Sequence, residues 1–199
     1  MRAFLRIAMT AAALFGGSQT SHAAFLTYVT TLNGGNESPP NASAGFGTAV
    51  VDYDTVLHTL RVRSSFTSLT GTTTASHIHA ATALPGVGNA GVATQTPTFS
   101  GFPLGATAGT MDQTLDLTQL TSYNPAYVAL NGGTAATAEV ALTSSIAAGT
   151  TYLNIHTSSF PGGEIRGFLT PVPEPASVLL FGTGLAAVGV CARRRRAQA

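Results

Sequence analysis

Lysine is absent from the 199-residue sequence, cysteine occurs once, and only 9% of the residues are charged. Without lysine every basic side chain is an arginine, and six of the nine charges (Arg2, Arg6 and Arg193 to Arg196) sit in the two terminal segments. Between residues 25 and 170, Arg61, Arg63 and Arg166 stand against Glu37, Asp52, Asp54, Asp112, Asp116, Glu139 and Glu164, a net charge of −4. No basic surface remains there to neutralise phosphates, which argues against nucleic acid as a partner. The single thiol, Cys191, lies in the C-terminal apolar segment. No disulfide can therefore staple a central domain, and its stability must come from burial. No serine or threonine occupies a nucleophile-elbow context and no complete catalytic set is visible, so the expectation is a protein that is not an enzyme.

What the chain does carry is a pair of export signals. Residues 1–23 read as a secretory signal peptide: Arg2 and Arg6 begin it, Ile7 to Phe15 form the apolar run, and Ser21-His22-Ala23 give a small-residue site with cleavage after Ala23. That run is too short to span a bilayer. At the other end, Pro173-Glu174-Pro175 is followed by 17 apolar-rich residues, Ala176 to Ala192, and then by Arg193, Arg194, Arg195 and Arg196. As a helix the apolar run would be roughly 25 Å long, enough to cross a thin membrane. The four arginines would keep that flank in the cytoplasm and turn the preceding domain outward. Motif, apolar helix and basic end together resemble the PEP-CTERM sorting tail. The resemblance implies a Gram-negative bacterium that makes extracellular polysaccharide. It also implies an exosortase that cuts near the motif and transfers the protein to a surface or matrix acceptor. The inner membrane would hold the chain by this helix before processing, and the cell surface or extracellular matrix afterwards.

Three segments result: the signal peptide (1–23), one domain (24–170) and the tail (171–199). Within the domain, threonine-, serine- and glycine-rich stretches alternate with short β-prone runs. Phe25 to Leu32, Gly45 to Tyr53, Val56 to Phe66, Thr72 to Ala80 and Thr110 to Leu117 read as strands, with a turn at Asp54-Thr55. Leu60, Val62, Ser64 and Phe66 share a core-facing side, while Arg61 and Arg63 face water. His58 ends the apolar side as an ordinary satisfied histidine. Asn124 with Pro125 opens a short helix, and Ala135 to Ile146 forms a second. Short strands, Gly/Pro turns and the absence of long alternating helices predict an all-β antiparallel sandwich, immunoglobulin-like or superoxide-dismutase-like, with one or two short helices.

Functional groups concentrate in two places. His77-Ile78-His79 projects two imidazoles from one strand face. Tyr152 to Gly167 reads as a hairpin turning at Pro161-Gly162-Gly163, with Asn154, His156, Glu164 and Arg166 on its outer side. If the first strand lies beside the hairpin, His77, His79 and His156 converge as ligands for copper or zinc. Glu164 or Asp112 would be a further ligand, and Glu164, Arg166 and Asn154 a supporting shell. The plainer alternatives are histidines bonded to neighbouring hydroxyls and carbonyls, a surface Glu164–Arg166 pair worth little, and a polar face that only stabilises the sheet.

The same residues carry a second resemblance. Leu32-Asn33-Gly34-Gly35-Asn36-Glu37-Ser38-Pro39-Pro40, Gly45-Phe46-Gly47-Thr48-Ala49, His77-Ile78-His79 and Tyr152 through Gly167 resemble the CHRD, or chordin-type, domain over about residues 25–170. Ala80 stands where that family has a glycine. The resemblance implies an extracellular β-domain without an assigned reaction. The HIH strand is also similar, at the level of fold alone, to the copper–zinc superoxide dismutase sandwich. The leading functional expectation is a non-enzymatic surface or matrix protein acting in adhesion or biofilm matrix. The alternative is an extracellular copper- or zinc-binding or redox protein that uses the histidine trio.

Overall fold

The computed structural model describes residues 25–173. The signal peptide with Ala23, and the sorting residues Glu174, Pro175 and Arg193 to Arg196 with the apolar run between them, lie outside the described residues. Among the described residues no helix is long and apolar enough to cross a membrane.

Five strands come first: β1 (Phe25–Asn33), β2 (Phe46–Asp54), β3 (Thr59–Thr67), β4 (Thr73–His79) and β5 (Gly109–Asp116). Helices α1 (Pro125–Leu130) and α2 (Ala135–Ala147) follow, and then β6 (Tyr152–Thr157), β7 (Ile165–Phe168) and β8 (Thr170–Pro171). The strands pair antiparallel in the order β4-β6-β7-β1-β2-β3-β5, with β8 added to β1. The antiparallel β class is as expected, but a single hydrogen-bonded sheet replaces the two sheets of a sandwich. It curls around one core. Strand β7 meets β1 through one register pair, Asn33 with Arg166, so this is its narrowest seam. Leu32, Val51, Leu60, Val62, Ile78, Leu115, Leu153, Ile155 and Ile165, one or two from each long strand, join Leu142 and Ile146 of α2 in a single buried cluster.

Local chemistry accounts for the element ends. In β3, Leu60, Val62, Ser64 and Phe66 are buried as the alternation requires. The strand starts at Thr59, three residues later than Val56, because the Asp54 carboxylate accepts hydrogen bonds from the amides of Val56 and Leu57 at 2.8 Å each and extends the turn. His58 closes that turn at φ 54° and bonds Glu139 at 2.8 Å, so it is satisfied, but from the turn rather than the core face. Asn124 accepts from the amide of Ala126 ahead of Pro125, and Thr134 and Thr137 cap α2 reciprocally.

The segment after β4 positions the site. The outer edge of β4 would leave unpaired backbone groups. Residues 91–99 cover it: Ala93 donates to the Ile78 carbonyl, Thr94 Oγ1 accepts from the Ile78 amide, and Thr98 Oγ1 accepts from the Ser76 amide. Threonine hydroxyls thus stand in for carbonyls that an irregular, proline-containing segment cannot align.

A candidate metal centre on the β4–β6–β7 face

In the ladder His77 pairs with Asn154, His79 with Tyr152 and Ala75 with His156, while Asn154 pairs with Arg166 and Tyr152 with Phe168. Alternation turns Ile78, Leu153, Ile155 and Ile165 into the core and these polar side chains to the opposite side. The sequence places that side on the outside of the sheet. Instead it is a second, polar interior: His77 and His79 are 7% exposed, and Asn154 and Arg166 are each 2% exposed. Asn36, Asn89, Ala90, Pro97 and Pro161 all bond to it from the surrounding loops.

Three imidazoles converge there. Their ring centroids are 5.9 Å (His77–His79), 5.3 Å (His77–His156) and 5.7 Å (His79–His156) apart. One ring nitrogen from each lies within 4.8 Å of the other two, and among the described residues this is the one such group of His, Cys, Asp or Glu. Each ring is fixed by a backbone carbonyl: His77 Nε2 bonds Pro97 O at 2.7 Å, His79 Nδ1 bonds Ala90 O at 2.9 Å and His156 Nδ1 bonds Pro161 O at 2.9 Å. A carbonyl only accepts, so those nitrogens carry the protons. The remaining nitrogens, Nδ1 of His77 and Nε2 of His79 and His156, are buried without a hydrogen-bond partner. Each ring therefore keeps one buried lone pair with nothing donating to it. A carbonyl behind each ring, fixing tautomer and orientation, is the outer-shell pattern of metal-binding histidines.

The electrostatics favour the neutral ligand form. Burial lowers the pKa of all three rings and takes His79 to about 4. Nitrogens bound at roughly 2.0–2.1 Å are about 3.4–3.6 Å apart, so the trio must draw together by about an ångström on binding, within reach of ring rotation.

The acidic residues do not join the trio. Asp112 pairs with Arg61 on the exposed side of β3 and β5. Glu164 precedes β7, outside its alternation, and pairs with no arginine among the described residues. Its carboxylate accepts from Ser43, from the amides of Thr70 and Gly71 and from Thr157. Burial alone would raise its pKa, but these bonds together outweigh burial and hold it low. Glu164 is thus a structural latch joining the residue 43 and 70–71 loops to β6. The Glu164–Arg166 surface pair, one of the plainer alternatives, does not form; Arg166 instead lies buried 3.7 Å from Glu37, and donates to Asn36 O and to Asn89 Oδ1. Asn154 stays beside the trio as its register neighbour, with Oδ1 unpartnered.

Two contributors were not singled out from sequence. Tyr152 stacks on His79, with centroids 4.8 Å apart and planes at 6°, and Arg166 lies over Tyr152 at 4.6 Å. The alternation that exposed Asn154 and His156 also predicts Tyr152 on their face, so this signal was present. Glu37 comes from the loop after β1 and has no local signal. A cleft of about 600 Å³ opens beside Glu37, Arg166 and Phe168, and no histidine of the trio lines it.

Sequence comparison fits this architecture. The CHRD domain profile matches residues 28–169. The chain belongs to the CHRD domain family. Its tail, residues 171–196, matches the PEP-CTERM protein-sorting motif. That motif is the recognition signal of an exosortase, and it marks this CHRD protein as exported and membrane-anchored before processing. Pro173 is the last described residue and the first of the sorting motif proper. No curated protein and no solved structure matches the chain.

Proposed function

We propose that this CHRD protein is a non-enzymatic surface or matrix component whose folded domain holds one copper or zinc ion on His77, His79 and His156. One observation carries this reading: one ring nitrogen from each of three imidazoles lies within 4.8 Å of the other two, and each ring, held by a backbone carbonyl on one nitrogen, keeps its other nitrogen buried with no donor. A set of histidines that merely satisfied the sheet would use both nitrogens, since an orphaned buried acceptor costs about 1–3 kcal/mol. A bound ion removes that cost. Export begins at the signal peptide, with cleavage after Ala23. The apolar run 176–192 then anchors the chain in the inner membrane, with Arg193 to Arg196 on the cytoplasmic side, until the exosortase releases it to the cell surface or exopolysaccharide matrix. The net charge of −4 keeps nucleic acid off the list of partners.

The test is metal analysis of purified protein without a histidine tag, wild type against His77→Ala. One equivalent of copper or zinc in the wild type and a marked loss in the variant is expected; equal and negligible metal in both ends the idea. A second reading rests on the sorting motif alone: the domain acts in adhesion or matrix assembly without metal. Deleting the gene and measuring biofilm or floc formation, with complementation by the His77→Ala form, separates the two. Full rescue by that form supports the second reading.

A further inference from the structure

We infer that Arg166, acting through Tyr152, biases the histidine site against divalent ions and toward monovalent copper. This rests on the metal reading of the trio and adds the choice of ion. Strand β6 lies between β4 and β7, so His79 reaches Tyr152 from one side and Arg166 from the other. The result is an imidazole–phenol–guanidinium stack with its permanent cation buried at the far end, at 2% exposure.

Charge argues the selection. The three donors are neutral imidazoles, and no carboxylate belongs to the group. An ion entering this layer brings its full charge into a buried site, and the desolvation cost grows as the square of that charge, so a divalent ion costs about four times a monovalent one. The guanidinium adds a term linear in charge. By way of Tyr152 it lies at most about 9 Å from the His79 ring, where an effective dielectric of about 20 gives a penalty on the order of tenfold or more in affinity per unit of ion charge. Coordination number points the same way. On three histidines zinc needs a water as its fourth ligand, which this buried layer would have to admit with it, whereas a monovalent copper ion is satisfied by the three nitrogen donors alone. Glu37 works in the opposite sense. It is the carboxylate facing Arg166, at 3.7 Å, and its ionised form offsets part of the guanidinium's field.

Arg166 and Glu37 therefore make opposite predictions. The experiment uses the full chain in detergent, with Cys191→Ser so that the single thiol does not compete. Affinities for cuprous ion, under anaerobic reducing conditions, and for zinc ion are measured by chelator competition near pH 7.5. Wild type is expected to prefer cuprous ion. Arg166→Gln should narrow the copper-to-zinc ratio about tenfold, and Glu37→Gln should widen it. Both ions are measured on the same protein, so partial loss of folded material cancels in the ratio, and Glu37→Gln removes a charge with little change of shape. Zinc outcompeting copper in wild type, or a ratio that stays fixed or moves the same way in both variants, overturns the inference while leaving the trio as a metal site. Failure to hold either ion, or binding that survives His77→Ala, overturns both.

Discussion

Glu37 and Glu164 are both buried, yet their surroundings move them in opposite directions. Burial pushes Glu37 up to about 7, with Arg166 only partly opposing, and Oε1 finds no donor. Glu164 is held below its ordinary value by four donors that outweigh its burial. The linkage signs follow. Glu37 has a folded pKa above its unfolded one, so its contribution is fully present below about 4.5 and is lost as pH rises through about 7. Glu164 contributes above the unfolded carboxylate value and loses that contribution as pH falls. Glu37→Gln should therefore flatten the fall in melting temperature between pH 5 and pH 8, as thermal melts at the two pH values would read. A variant that falls as steeply as wild type would contradict this. Glu164→Ala should cost on the order of 3 kcal/mol by denaturant titration, because it strands two buried donors, the Gly71 amide and the Thr157 hydroxyl, and frees two part-buried ones. At this scale the shared face of His77 and His79, and the face of His156, were legible because strand alternation has a period of two; their convergence was not, because it depends on β4 lying beside β6. Glu37 was not, because it arrives from a loop about 130 residues before its partner Arg166. The Glu164–Arg166 pair misread for a related reason: the Gly163 turn sets Glu164 outside the strand.

At the scale of elements, the covered edge of β4 and the β6–β7 turn decide whether the site exists. Thr94 is fully buried and its hydroxyl accepts from the Ile78 amide at 2.9 Å. Thr94→Val keeps the shape and removes the acceptor, so it should cost about 1–3 kcal/mol. It should also loosen the segment that carries the Ala90 and Pro97 carbonyls, which hydrogen exchange at Ile78 would detect. Gly163 has φ 134°, and an added Cβ would collide with the Asn154 amide and approach Glu37 Oε1 to 2.8 Å. Gly163→Ala should destabilise by about 1–3 kcal/mol through strain and this clash together. The capped helices and the hairpin were readable, since caps, proline and glycine act locally. The cover over β4 was not, because threonine side chains there replace a strand's regular backbone pairing.

For the whole molecule, the pairing of β8 with β1 ties the two ends of the domain together. Strand β8 pairs with β1 at Tyr28 and Val29, and Val172 donates to Thr27 O at 2.8 Å, one residue before Pro173. A chain ended after Val172 should melt like one carrying the motif, whereas ending it after Leu169 should lower the melting temperature by removing β8. Equal melting of both would contradict a structural role for β8. The all-β class followed from strand length and turn composition. The single curled sheet did not, because strand patterns fix which face is buried but not whether β7 pairs with β1, a contact made by one register pair. The curl and its loops turn the outer face of three strands into a largely buried polar layer, in which His156 is half-buried, and the metal reading depends on that layer. Its most direct test is X-ray absorption at the copper or zinc edge of the stoichiometrically loaded protein. The expected spectrum shows three imidazole nitrogens at about 2.0 Å, falling to two in His156→Ala. A shell of oxygen scatterers without imidazole, or a spectrum unchanged by that substitution, would contradict the assignment of the trio.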